Sequence, residues 1–294
     1  MVGQAEVPAR PLEPALYLVA TPIGNLADVT LRALETIAAA DVLACEDTRV
    51  TRALLDRYGI RRRSTPYHEH NAEEAGPRLV EALLAGRSVA LVSDAGTPLV
   101  SDPGYRLVER ALEAGVRVVP VPGPSSVLAA LVASGLPSDT FLFAGFLSPR
   151  DGQRRARLDE LKTVPATLVF FESPRRLADA LAVMADVLGE SRPAAVAREL
   201  TKTFEEIRRG TLGELAEHYR DTAAPKGEVV VCIGPPRAAE ASGAGDLDGL
   251  LLSLAAEMPA SKAAAEAARM TGLKKPDLYR RLLELRDAAN GERR

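Results

Sequence analysis

"SVALVSDAGTPLVSDPGYRLVERALEAG", residues 88–115, decides the fold. Its first residues are apolar without a charge, and they run straight into two Ser-Asp-x-Gly turns and then into a segment of helical period. A strand that is apolar throughout is buried on both faces, as in a parallel sheet covered by helices. The same unit recurs on either side. ALYLVA (15–20) reads as a strand, TPIGN (21–25) as its turn, and roughly 29–39 as a helix with Val29, Ala33, Leu34 and Ile37 on one face. DVLACE (41–46) is a strand, Thr48 to Tyr58 a helix, and Pro77 to Ala85 the helix before SVALVS. After the quoted stretch come the strand VRVVPV (116–121) and the helix SSVLAALVASG (125–135). Strands alternating with helices predict an α/β domain with a parallel sheet.

Around Gly135-Leu136-Pro137 the pattern restarts. TFLFAGFL, ATLVFF, AAVAREL, EEIRRGTL and GEVVVCIG read as strands, and RRARLDELK, PRRLADALAVMADVLG and LGELAEHYR as helices. The higher strand content predicts a second α/β domain with a mixed sheet. PPRAAEASGAGD is a linker by composition. Three helical stretches follow, with Ser261 as an N-cap and Gly272 ending the second so that the third starts near Pro276. The expected organisation is a loose tail over 1–14, an α/β domain over 15–135, a second over 136–235, a linker over 236–246 and a helix-turn-helix-like module over 247–290.

A formal net charge of −3 among 294 residues argues against a generally basic, nucleic-acid-coating surface but leaves room for a local basic face. No stretch reaches the roughly 18–20 apolar residues of a membrane helix, and the polar, Pro-rich start lacks a signal peptide's hydrophobic segment. The cytoplasm is the expected location. Cys45 and Cys232 lie inside apolar runs and read as buried free thiols.

In open parallel sheets ligands sit beyond the carboxyl ends of the strands. Four turns fall there: TPIGN, CEDTR (45–49), SDAGT (93–97) and PGPSS (122–126). Asp102 and Pro103 have a structural reading as N-cap and first residue of the following helix. Asp94-Ala95-Gly96-Thr97-Pro98 has no helix directly after it to cap; Gly96 lets backbone come close to a ligand and Pro98 stiffens the turn. A carboxylate there repels phosphate, and neither a Walker A sequence nor a strand-linked GxGxxG occurs. Acceptors without cations suit a ligand with hydroxyls, an ammonium or another positive centre.

"LYLVATPIGNLADVTLRALETIAAADVLACEDTR", "YHEHN", "VSDAGTPLVSDPG", "VPGPSSVLAAL", "FFESPRRL", "RELTKTFEE" and "KGE" come in an order and spacing that closely resembles one group. It is that of the bacterial 2′-O-methyltransferases acting on a cytidine of 16S rRNA in the small ribosomal subunit, within the tetrapyrrole-methylase superfamily. The resemblance spans about residues 15 to 290. It implies two α/β domains with S-adenosylmethionine (SAM) in the cleft between them, and a homodimer. It also implies that Pro22, Asp94, Ala95, Gly96, Thr97, Pro98, Ser125 and Ser126 hold the cofactor, with Leu200, Lys226, Gly227 and the segment around Glu172 closing over it.

Methyl transfer to a ribose oxygen needs alignment and a proton acceptor, and no metal. His68-Glu69-His70 lacks further plausible ligands for zinc; His70 and Asn71 read as loop-ordering or substrate-touching residues. Glu46, Asp47 and Glu172 are candidate bases, each equally a structural partner for Arg49, Arg175 or Arg176; Lys202 and Lys226 would serve only if desolvated. RNA contact is expected at Arg61, Arg62 and Arg63, in the Arg150–Arg157 segment, at Arg175 and Arg176, and at Lys274, Lys275, Arg280 and Arg281. Between 261 and 281, six cations face only Glu266 and Asp277. Two other readings remain: a corrinoid or tetrapyrrole C-methyltransferase, and a ligand-sensing nucleic-acid-binding regulator.

Overall fold

The computed structural model describes residues 9–101, 104–236, 244–271 and 273–291. The chain divides into two compact units: the first runs to Ala133 and includes Arg198–Glu206, and the second comprises Ser134–Ala197 and the chain from Ile207 onward.

The first unit follows the expected alternation: β1 (Leu16–Val19), α1 (Leu31–Ala39), β2 (Val42–Cys45), α2 (Thr48–Arg57), β3 (Ser64–Pro66), α3 (Ala72–Leu84), β4 (Val89–Val92), α4 (Tyr105–Glu113), β5 (Val118–Val121) and α5 (Ser126–Ser134). The strands pair in parallel in the order β3-β2-β4-β1-β5. Period-2 alternation along β4 splits its side chains between two cores. Ala90 and Val92 join Ala33, Ile37, Leu54 and Leu55 from α1 and α2. Val89 and Leu91 join Leu79, Leu83, Leu107 and Ala111 from α3 and α4. Both faces of the sheet are therefore covered, which is why its strands carry no polar side to read.

Three local readings change. The helix expected over roughly 29–39 is α1, starting two residues later, where its N-cap Thr30 accepts a hydrogen bond from Ala33 N–H; a turn of 3-10 helix, Leu26–Asp28, precedes it. α3 starts at Ala72, five residues before Pro77, which lies inside it. Proline forfeits its own N–H bond there, while Glu73 and Glu74 in the first turn suit the positive end of the helix dipole. β3 has no apolar run to announce it: it is a three-residue edge strand directly after Arg61-Arg62-Arg63, and such charge discourages further pairing at a sheet edge. The capping role read for Asp102 and Pro103 lies outside the described residues. In the segment read as a tail, Leu12 packs against the first core and Tyr17 Oη donates to Glu13 O at 2.9 Å.

In the second unit the elements are β6 (Phe141–Phe146), α6 (Asp151–Leu161), β7 (Thr167–Glu172), α7 (Leu177–Leu188), β8 (Pro193–Arg198), β9 (Glu206–Thr211), α8 (Leu212–Asp221) and β10 (Val229–Ile233). The sheet order is β6-β7-β10-β8-β9, mixed as expected: β6 and β7 are parallel, β7 and β10 antiparallel. Leu168, Phe170, Val196 and Val231 meet Leu158, Leu181, Met184 and Leu215 in its core. Beyond it, α9 (Ala244–Glu257), α10 (Ala260–Thr271) and α11 (Lys275–Gly291) close around Leu251, Ala263, Ala267, Leu278 and Leu282. Ser261 falls inside α10 rather than capping it, and Gly272 lies outside the described residues.

Cys45 and Cys232 are fully buried, and burial pushes the Cys232 thiol up to about 12. The thiolate is the reactive form. Neither cysteine should react with a thiol reagent in the native chain, and both should react in denaturant, as counted by mass spectrometry.

Candidate functional site

Hydrogen bonds tie the four strand-end turns of the first unit together. Thr21 and Gly96 exchange both backbone bonds, N–H to O, at 2.9 and 3.0 Å. Thr21 Oγ1 donates to Ser93 O and Ser93 Oγ to Gly96 O, each at 2.9 Å. Asp47 N–H donates to Asp94 Oδ1 at 2.8 Å, and Thr97 Oγ1 to Pro124 O at 3.3 Å. The TPIGN, CEDTR, SDAGT and PGPSS turns thus form one platform. Its backbone needs glycine: Gly96 has φ +79°, a conformation that L side chains rarely adopt, and lies in contact with Ile23. A Cβ on Gly123 would come within 3.0 Å of Ala20 Cβ. Desolvation raises the Asp94 carboxyl above its ordinary range.

The segment Arg198–Glu206 belongs to this unit and leans on the first turn. Asn25 N–H donates to Thr201 Oγ1 at 3.1 Å, and a Cβ on Gly24 would collide with Lys202 Cγ at 2.5 Å. Glu199 and Thr201 both hold left-handed φ angles, +51° and +66°. Such strain survives only where the surroundings over-determine it; here Thr201 N–H is held by Glu205 Oε2 at 2.7 Å and Lys202 Nζ reaches Glu199 Oε1 at 2.7 Å. Beside this contact an open cavity of about 550 Å³ is lined by Ile23, Asp28, Thr30, Ser125, Thr201 and the Pro122–Pro124 turn.

The expected cofactor residues of the first unit are on or beside this platform. Pro22, Gly96 and Pro98 are buried, Asp94, Ser125 and Ser126 half-buried, and Ala95 and Thr97 exposed, while buried Leu200 turns its carbonyl toward Gly24. Lys226, Gly227 and Glu172 are in the second unit, where Val229 of β10 pairs with Glu172 at the end of β7 and so puts all three at one end of that sheet. The candidate bases are engaged. Asp47 caps α2 and grips Arg49 at 2.6 Å, which holds its carboxyl down to about 2. Glu172, its side chain 1% exposed, binds Arg176 at 2.6 Å and accepts from Ser173 N–H at 2.7 Å. Glu46 is half-buried and also has partners.

A family model described as tetrapyrrole (corrin/porphyrin) methylases matches residues 15–216, and one described as the RsmI C-terminal HTH domain matches residues 241–286. The chain belongs to the tetrapyrrole methylase family. It is 72% identical to the ribosomal RNA small subunit methyltransferase I of Mesorhizobium japonicum over 98% of both chains. Against the protein of that name from Escherichia coli O157:H7 the identity is 48%, over 92% of this chain and 94% of the other. A uroporphyrin-III C-methyltransferase from Thermus thermophilus, solved with S-adenyl homocysteine, shares the fold at a TM-score of 0.52 and 23% identity, over 74% of this chain and 96% of that one.

In this tetrapyrrole methylase much of the basic surface expected to meet RNA is spent on ion pairs. Arg154 and Arg155 bind Asp151, Arg155 also binds Asp186, and Arg157 binds Glu160. Arg176 holds Glu172. In the C-terminal module Arg269 pairs with Glu266, Arg280 with Asp277, and Arg281 with Asp248 and Glu284. The local excess of cations read between 261 and 281 therefore shrinks once the flanking helices are included: residues 244–291 hold seven Lys and Arg against seven Asp and Glu. Lys262, Lys274, Lys275, Arg61, Arg63 and Arg175 stay exposed, and Arg62 half-exposed. His68 and Asn71 order their own loop, Asn71 Oδ1 accepting from His68 N–H at 2.8 Å and Nδ2 donating to Pro66 O at 2.9 Å. The sequence reading assigned no role to Asp28 or Thr30 of this cavity; Thr201 stood inside a quoted motif but likewise had no role assigned. Among the described residues no helix is long and apolar enough to cross a membrane.

Proposed function

We propose that the chain is a SAM-dependent methyltransferase that modifies the ribose 2′-hydroxyl of a cytidine in 16S rRNA of the small ribosomal subunit. The observation that carries this is the 72% identity, over nearly the full length of both chains, to a protein named for small-subunit rRNA methylation. The choice of ribose oxygen and of cytidine comes from the motif resemblance described above. A ribosomal substrate implies the cytoplasm, and the resemblance includes a second copy of the chain.

The residues fit the cofactor. The Gly96 loop allows close backbone approach, carries no Lys or Arg, and presents the Asp94 carboxylate, whose second oxygen is left for an ammonium or a ribose hydroxyl. Bound SAM supplies the activated methyl group; the chain supplies alignment and the uptake of one proton. Asp94 to Pro98, Pro22, Ser125 and Ser126 hold and orient the cofactor in this reading. Exposed Arg61, Arg63, Arg150, Arg175, Lys262, Lys274 and Lys275 are the expected cations left to meet RNA phosphates.

The test is methyl transfer from labelled SAM to small subunits lacking native modification, with naked 16S rRNA and a uroporphyrinoid as parallel acceptors. Label on one cytidine 2′-oxygen is the expected result. Label on the tetrapyrrole alone overturns it.

A further inference from the structure

We infer that the cavity bounded by Asp28, Thr30, Ser125 and Thr201 receives the acceptor ribose, and that Asp28 takes the proton of its 2′-hydroxyl. This rests on the 2′-O-methylation proposed above. The other carboxylates of the platform have a partner or a role: one Asp94 oxygen is kept for the cofactor in the reading above. Asp47 is clamped by Arg49, and Asp94 holds the Asp47 N–H. Asp28 is exposed, lines the cavity, and its carboxylate has no hydrogen-bond or ion-pair partner among the described residues; only its backbone N–H is used, by Asn25 O at 3.0 Å.

The rest of the lining suits a neutral polyol. Thr30 Oγ1 accepts from Ala33 N–H at 3.1 Å, Thr201 Oγ1 from Asn25 N–H at 3.1 Å, and Ser125 Oγ from Leu128 N–H at 3.5 Å. Each hydroxyl used as an acceptor by the backbone keeps its own O–H to donate. With Ser125 kept for the cofactor, the cavity offers two steerable donors, Thr30 and Thr201, and one carboxylate acceptor, the complement of a ribose edge. No Lys or Arg lines it, so it is ill-suited to phosphate. Its position fits as well: Ile23 forms part of its wall and also lies against Gly96. An acceptor in the cavity is thus next to the loop assigned to the cofactor.

The step balances. The 2′-O–H bond breaks and its proton passes to an Asp28 carboxylate oxygen. The ribose oxygen contributes the electron pair of the new O–C bond, and the pair of the broken C–S bond stays on sulfur, which leaves as a neutral thioether. A carboxylate is too weak a base to ionise a ribose hydroxyl beforehand, so the proton moves as the O–C bond forms and the oxygen becomes strongly acidic.

The experiment compares the wild-type chain with Asp28→Asn and Asp28→Glu, by equilibrium titration of SAM, equilibrium binding of small subunits, and single-turnover methyl transfer. Asp28→Asn is expected to keep both affinities within about twofold while the transfer rate falls about 100-fold, the lower end for loss of a positioned base. Asp28→Glu is expected to recover part of the rate. Wild-type transfer rates in Asp28→Asn overturn the assignment, and so does a large loss of SAM affinity, which would make Asp28 a cofactor ligand. A wild-type chain inactive on every ribosomal acceptor overturns the parent reading instead.

Discussion

Gly96→Val is expected to weaken SAM binding by more than tenfold and to destabilise the first unit by roughly 2 kcal/mol. Gly96 sits at φ +79°, where a β-branched residue is a genuine outlier. Its added atoms would also be driven toward Ile23 Cγ2 and Pro124 O, 3.4 and 3.8 Å from the first of them. The loop can relieve this only by moving, and movement breaks the paired backbone bonds to Thr21 that join the two turns. Gly86 provides the control. It has φ +78° and open space around its Cβ position, so Gly86→Val carries the same backbone strain without disturbing the platform. Calorimetric titration of SAM with parallel thermal melts separates the two effects. A stability loss in Gly96→Val at least as large as in Gly86→Val, with the affinity loss confined to Gly96→Val, is expected; equal affinities in the two variants would remove the loop from the cofactor site.

The gathering of the four turns was legible because it follows from topology. In a parallel sheet every strand delivers its carboxyl end to the same edge, so apolar runs followed by TPIGN, CEDTR, SDAGT and PGPSS fix where those residues meet. What was not legible depends on side chains meeting across sequence distance. Arg198–Glu206 joins the first unit although it follows a strand of the second sheet, and nothing local in RELTKTFEE signals that Thr201 will accept from Asn25, 176 residues away. Asp28 was hidden for the opposite reason: an acid before a helix has an ordinary local explanation, and only the cavity shows its carboxylate standing apart from any cap.

The basic clusters misled in an instructive way. A run such as Arg154 to Arg157 reads as a phosphate-binding face when counted by charge. Helical spacing instead puts Asp151 and Glu160 within one turn of those arginines, and such i,i+3 and i,i+4 pairs consume the donors. Arg281 is paired with Asp248, 33 residues earlier, which no window count includes. Lys275 is the first residue of α11 and Lys274 precedes it, both ahead of its first acid, Asp277, and both stay exposed. Fewer cations without an ion pair are therefore left on these segments than a charge count suggests.

Arg176→Ala is expected to be the most destabilising change among the charged residues of the second unit. It would strand the Glu172 carboxylate, which is almost completely buried, with the Ser173 N–H as its one remaining partner among the described residues. Removing one partner of a buried pair costs about 3 kcal/mol or more, equivalent to roughly 6–12 °C in Tm for a unit of this size. The reverse change is milder. Glu172→Gln keeps an acceptor for Ser173 N–H, and the Arg176 side chain, 30% exposed, still reaches water and Leu147 O at 3.4 Å. Thermal melts of the two single variants and of Arg176→Ala/Glu172→Gln should therefore show the double variant more stable than Arg176→Ala alone. That ordering identifies Glu172 as a structural anion holding the β7 end near Lys226 and Gly227, a role that leaves proton uptake to a carboxylate without a partner. If Arg176→Ala melts like the wild type, the pair contributes nothing to the fold, and Glu172 returns as a candidate for chemistry.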